Sequence, residues 1–182
     1  MFRALLAVIL FTSVPVFASG IIIDVEGEAN GSITIDLFED IAPDHTSRVL
    51  KLAEEGQYNG VVFHRVIEGF MAQTGDVQFG KVLENRRRVG MGGSNYPNLK
   101  AEFSNINFDR GIVGMARSQN PDSANSQFFI MFSEGSFLNG QYTVIGKVIS
   151  GLDILDKIKK GLGQNGSVLG DPDFMKTVTR FE

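Results

Sequence analysis

No cysteine occurs among the 182 residues. That absence excludes zinc fingers, thiol nucleophiles, iron–sulfur centres and disulfide scaffolds together. Histidine is nearly as scarce: His45 and His64 are far apart and too few for an all-histidine metal site. Excess positive charge is also missing. Lys+Arg number 17 against 21 Asp+Glu, giving a formal net charge of −4, whereas a nucleic-acid binder needs a broad basic surface to recruit phosphates. No repeat of period about 20–50 residues is present, which excludes solenoids and propellers. No low-complexity linker divides the chain, and its length suits one domain whose core needs no metal or disulfide.

What is present begins with an address. Arg3 supplies a short positive region, residues 4–17 (ALLAVILFTSVPVF) are apolar, and Val16-Phe17-Ala18 ends the run on a small residue. The run is shorter than the roughly 20 residues a bilayer span requires. We expect residues 1–18 to be a cleaved signal peptide and residues 19–182 to form a single domain, periplasmic or secreted. An uncleaved membrane tether is the alternative, because Ile21-Ile22-Ile23 prolongs the apolar run. After cleavage no stable membrane insertion is expected.

Strand-sized apolar runs follow at residues 21–25, 32–37, 61–67, 70–74, 112–116, 127–132, 143–148 and 177–181, most bounded by Gly, Asn or Asp. The Asn30-Gly31 step marks a hairpin turn between the first two. Residues 42–55 read as a helix, with Pro43 in the first turn, Gly56 as its stop, and Val49, Leu50 and Ala53 on one face. Residues 150–160 read as a second, with Leu152, Leu155 and Ile158 spaced by three and Gly161 as its stop. A sheet-rich chain of this kind must close or cover its edges, and a barrel with helices over its ends is the economical solution.

Residues 58–75 read YNGVVFHRVIEGFMAQTG. Tyr58, Phe63-His64-Arg65, Gly69-Phe70-Met71, Gln73 and Gly75 resemble the signature of the cyclophilin family of peptidyl-prolyl cis-trans isomerases. Residues 111–131 (GIVGMARSQNPDSANSQFFIM) and 137–148 (FLNGQYTVIGKV) resemble the second and third family blocks, in the same order. The resemblance implies a mainly β fold, a closed eight-stranded antiparallel β-barrel capped by two α-helices. It implies catalysed rotation of Xaa-Pro bonds without metal or cofactor, and proline-containing unfolded or extended polypeptides as partners. A monomer that assists folding of exported proteins is the expected form. A non-catalytic proline-peptide binding module and a holdase-type chaperone are the alternatives.

The residue types suit that chemistry. Twisting an amide sacrifices its resonance and returns the lone pair to nitrogen, and a fixed cationic donor can bind that lone pair. The resemblance gives Arg65 this role and has Gln73 orient it. It places Phe70, Met71, Phe129 and Leu138 around the proline ring and Gln127 beside the substrate backbone. Ala116 and Arg117 match the stretch whose main chain pairs with the residue before proline. Strand alternation independently points Met71 with Gln73, and Gln127 with Phe129. Two positions depart from familiar members: Phe137 stands where tryptophan often occurs, and Tyr142 where histidine is common. Phe137 keeps an apolar wall but lacks an indole N–H, so weak inhibition by the macrocycle cyclosporin is expected.

Other features read more plainly. His64, among core-forming residues, is expected to be a hydrogen-bonded structural histidine, and His45 to lie on the surface. Arg86-Arg87-Arg88 with Lys81 reads as a solvated basic loop. Gly90-Met91-Gly92-Gly93 lacks the Lys-Ser/Thr of a phosphate loop and is not read as one.

Overall fold

Alternating isoleucines set the register of the first hairpin. β1 (Gly20–Glu26) and β2 (Gly31–Leu37) pair antiparallel with Ile23 opposite Ile33, so Ile21, Ile23, Ile33 and Ile35 are all buried on one face. The computed structural model describes residues 19–82 and 86–182, with Arg86 described by its backbone alone. The expected leader, residues 1–18, lies outside the described residues.

α1 (Pro43–Glu54) buries Val49, Leu50, Leu52 and Ala53. Its N-cap residue, Ala42, offers no side-chain acceptor. Glu102 supplies one from a distant loop: its carboxylate accepts from the backbone N–H of Asp44 at 3.2 Å and of His45 at 3.1 Å. The same carboxylate lies 2.5 Å from His45 Nδ1. His45 is therefore fully buried, not on the surface as its place near a helix start suggested.

The remaining strands and second α-helix are β3 (Val61–Val62), β4 (Arg65–Ile67), β5 (Met71–Thr74), β6 (Ile112–Met115), β7 (Phe128–Met131), β8 (Val144–Ser150), α2 (Leu152–Lys157) and β9 (Phe174–Phe181). Among the described residues, the nine strands form one antiparallel sheet in the order β3-β9-β1-β2-β8-β6-β7-β5-β4, curled into a half-barrel with two α-helices. This corrects the closed eight-stranded barrel. The run at 61–67 breaks into two strands at opposite ends of the ladder: Val61 and Val62 pair with β9, and Arg65, Val66 and Ile67 pair with β5. Between them the Phe63 N–H is drawn to the Asp173 carbonyl and the His64 carbonyl to the Val168 N–H. The seam between β3 and β4 is thus crossed by the covalent chain, not by a ladder of hydrogen bonds.

α2 is also shorter than the leucine spacing predicted. It ends at Lys157, and Ile158 is extended, because the buried carboxylate of Asp173 takes the Lys159 N–H at 2.7 Å and pulls the chain out of the helix.

β7 is buried on both sides. Phe128 and Ile130 enter the main core with Ile23, Leu52, Phe63 and Met175, whereas Phe129 and Met131 enter a second cluster with Met71, Phe108, Leu138 and Val144. The second cluster forms the bed of the site.

Candidate active site

Four neighbouring strands contribute one row of residues. Arg65 on β4 faces Gln73 on β5, Gln73 faces Phe129 on β7, and Phe129 faces Gly114 on β6. Cross-strand partners share a face, so a cation, an amide and an aromatic ring stand side by side. Gly114 makes room for the ring. A Cβ at that position would lie 2.6 Å from atoms of both Phe108 and Phe129, whose rings stack with centroids 5.7 Å apart.

Over this row lies a cleft of about 270 Å³. Buried Met71, Phe129 and Leu138 form its floor. Phe70 and Phe137, with ring centroids 5.4 Å apart, form one wall, and Phe137 is 64% exposed at the rim. Tyr142 forms another wall and meets Phe129 edge-on at 5.8 Å. Arg65 and Gln73 supply the polar side, with Ala116 and Arg117 completing the lining. Gln127 lines an adjoining cavity of about 370 Å³ that shares Gln73, Ala116 and Arg117. The structure thus brings all eleven candidate residues into one continuous groove.

The polar groups are wired in a fixed sense. Arg65 Nη1 donates to Gln73 Oε1 at 3.1 Å and approaches the Met71 sulfur at 3.8 Å. Gln73 Nε2 donates to Gln127 Oε1 at 2.9 Å, and Gln127 Nε2 donates to the carbonyls of Gly90 and Gly92. Those two glycines are anchored in turn, since both their N–H groups donate to the buried carboxylate of Asp76. With its N–H groups so engaged, the Gly90–Gly92 loop serves the glutamine chain and not a phosphate. Burial lowers the Arg65 pKa from its ordinary value, with Tyr142 opposing the shift. A guanidinium starts high enough to remain charged at neutral pH.

Sequence reasoning undervalued the Arg117 side chain. Its guanidinium lies 4.4 Å from the Tyr142 ring centroid and donates to the carbonyls of Gln141 and Ser118, clamping the tyrosine as a wall. Only the juxtaposition of an arginine with a tyrosine in two separate blocks hinted at it. His64 is buried, as a structural histidine should be, but neither ring nitrogen makes a hydrogen bond of good geometry, and the Val62 backbone and the Gln127 side chain beside it interact only weakly with the ring. Burial pushes its pKa down to about 4 against the opposing pull of Asp76, so the ring is neutral. In the basic run, the Arg88 guanidinium covers the Phe79 ring at 4.1 Å.

Residues 22–179 match the family model described as cyclophilin type peptidyl-prolyl cis-trans isomerase/CLD. The chain belongs to the cyclophilin family. It is 61% identical over 146 residues to a probable peptidyl-prolyl cis-trans isomerase of Brucella suis biovar 1, covering 79% of this chain and 74% of the relative. It is 37% identical over 139 residues to peptidyl-prolyl cis-trans isomerase B of Escherichia coli, covering 71% and 79% of the two chains. Among solved structures, a cyclophilin from Cryptosporidium parvum determined in the presence of the dipeptide Ala-Pro superposes with a TM-score of 0.75 at 27% identity, covering 90% of this chain and 99% of that one. The activity of this cyclophilin is accordingly that of a peptidyl-prolyl cis-trans isomerase.

Proposed function

We propose that this cyclophilin turns Xaa-Pro bonds at the Arg65 cleft and acts on exported polypeptides while they fold. The observation that carries the reading is a single one: a half-buried guanidinium, latched to Gln73, borders a cleft of about 270 Å³ with an apolar floor of Met71, Phe129 and Leu138, roomy enough for a proline ring.

The chemistry follows from that arrangement. The uncatalysed barrier is about 18–20 kcal/mol because C–N double-bond character must be lost. The proline ring beds on Met71, Phe129 and Leu138, while the preceding residue runs along Ala116 and Arg117. As the carbonyl side rotates, the imide nitrogen becomes pyramidal and accepts a hydrogen bond from Arg65. One charge-assisted bond is worth about 1.5–3 kcal/mol, so the rest of the acceleration comes from a preorganised, water-poor bed that holds the twisted form. No bond is broken and no proton moves, so His64 has no part in the reaction.

The leader pattern of residues 1–18 supports action outside the cytoplasm, in a periplasm or in the secreted fraction. N-terminal sequencing of the exported protein, with a start at Ser19, would bear this out. A start at Met1 in the membrane fraction would point to a tether instead. For the site itself, Arg65→Ala is expected to lower kcat/KM on a short Xaa-Pro peptide by about 100-fold, a loss of about 2.7 kcal/mol of transition-state binding, while its melting temperature stays close to wild type. Full activity in that folded variant would refute the assignment of Arg65. Equal suppression of the aggregation of a proline-free client by the parent and by Arg65→Ala would favour a holdase.

A further inference from the structure

The Arg65 guanidinium has a second anchor that no residue type in the sequence discloses. Its Nε donates to the main-chain carbonyl of Asn165 at 3.0 Å, a hundred positions along the chain. Asn165 adopts φ 55° and ψ 26° and is the only non-glycine residue with positive φ among the described residues. Asparagine tolerates the left-handed region better than most side chains, and β-branched residues tolerate it poorly.

The segment 161–168 that carries this carbonyl is fastened along β4. Gly161 N–H donates to the Val66 carbonyl at 2.8 Å, Val168 N–H donates to the His64 carbonyl at 3.0 Å, and Ser167 forms a bridge with Arg65. Between these ties, Gly166, at φ 76°, packs so closely on β4 that a Cβ there would lie 2.4 Å from the Ile67 side chain. The loop therefore covers an edge strand and delivers one oxygen to one side chain.

We propose that Asn165 is a positioning residue for Arg65, its left-handed backbone aiming a carbonyl at Nε so that, with Gln73 on Nη1, the guanidinium plane is fixed. This rests on the reading of Arg65 as the donor to the twisted imide. Two bonds to different nitrogens of a planar group leave it no rotation about its own stem. Nη2, which has no protein partner among the described residues, is then the donor left for substrate. Arg65 alone would gain position only by freezing several torsions at the moment of reaction. The clip freezes them beforehand.

The test compares Asn165→Val, which opposes the left-handed backbone, with Asn165→Gly, which permits it. In Asn165→Val, kcat is expected to fall about tenfold with KM nearly unchanged, and exchange of the Arg65 Nε–H, followed by nitrogen-15 NMR, is expected to accelerate by about the same factor. Asn165→Gly is expected to recover most of the kcat and of the Nε–H protection. A folded Asn165→Val with wild-type kcat and exchange would overturn the proposal. If that variant does not fold, the unaltered protein decides: an Arg65 Nε–H that exchanges as fast as in free arginine overturns it, and a protected one upholds it. Arg65→Ala separates the two claims. Should it keep full kcat, the catalytic reading of Arg65 falls and the positioning proposal with it. Should it lose activity while a folded Asn165→Val does not, only the positioning proposal falls.

Discussion

Arg65 and Gln73 are direct partners across β4 and β5, and the 3.1 Å bond between their side chains joins the cation to a chain of amides ending on the Gly90 and Gly92 carbonyls. The amide of Gln73 is useful in both directions, since it accepts from Arg65 and donates to Gln127. Gln73→Leu removes both functions at nearly constant volume. We expect kcat to fall about tenfold through misplacement of Arg65, with stability lower by only about 1 kcal/mol. Steady-state kinetics and urea titration on the same preparation check this, and a change in KM alone would contradict it.

Gly114 sits beneath the ring that forms the floor of the cleft. An added methyl must displace Phe108 or Phe129, because both rings lie 2.6 Å from where the Cβ would be. Gly114→Ala is expected to cost about 1–3 kcal/mol, as overpacking generally does, and to raise KM several-fold by tilting Phe129 into the space for the proline ring. Thermal melting and peptide kinetics report the two effects separately.

Phe137 is the most exposed ring of the cleft, in contact with Phe70. Phe137→Ala is expected to change stability by no more than about 0.5 kcal/mol, as exposed substitutions usually do, while KM rises. Phe137→Trp adds the indole N–H that phenylalanine lacks. Cyclosporin inhibition is expected to strengthen by about tenfold, the worth of one hydrogen bond. Equal inhibition of both proteins would show that the donor is irrelevant.

His64 gives a pH dependence of known sign. Its folded pKa of about 4 lies below the ordinary 6.5 because burial disfavours the imidazolium. Between those values the unfolded chain binds a proton that the folded chain does not. Stability therefore falls as pH drops through 6.5 and the loss is complete below about 4, amounting to roughly 3 kcal/mol. His64→Gln should lack this component, so its stability relative to wild type improves as pH is lowered from about 7.5 to 4.5 in urea titrations. Isomerase activity should show no step near pH 6.5, since no proton is transferred.

The sequence revealed the site more fully than the fold. Arg65, Gln73, Phe129 and their neighbours lie in short blocks of residue types that the chemistry demands, and strand alternation already turned Met71 and Gln73 to one side. The break at Phe63–His64 was not legible, because the apolar run from Val61 to Ile67 looks like one strand and only tertiary hydrogen bonds divide it. The burial of His45 was hidden for a similar reason. Its partner Glu102 stands 57 residues away and acts as a helix cap from outside the helix. The Asn165 anchor escaped because a main-chain carbonyl has no letter of its own.

β7 has one more consequence. By sending Phe128 and Ile130 to one side and Phe129 and Met131 to the other, it behaves as a partition between a compartment that holds the sheet together and one that floors the cleft. A change of volume at Phe129 or Met131 is therefore felt in the cleft, whereas one at Phe128 or Ile130 is felt in the main core.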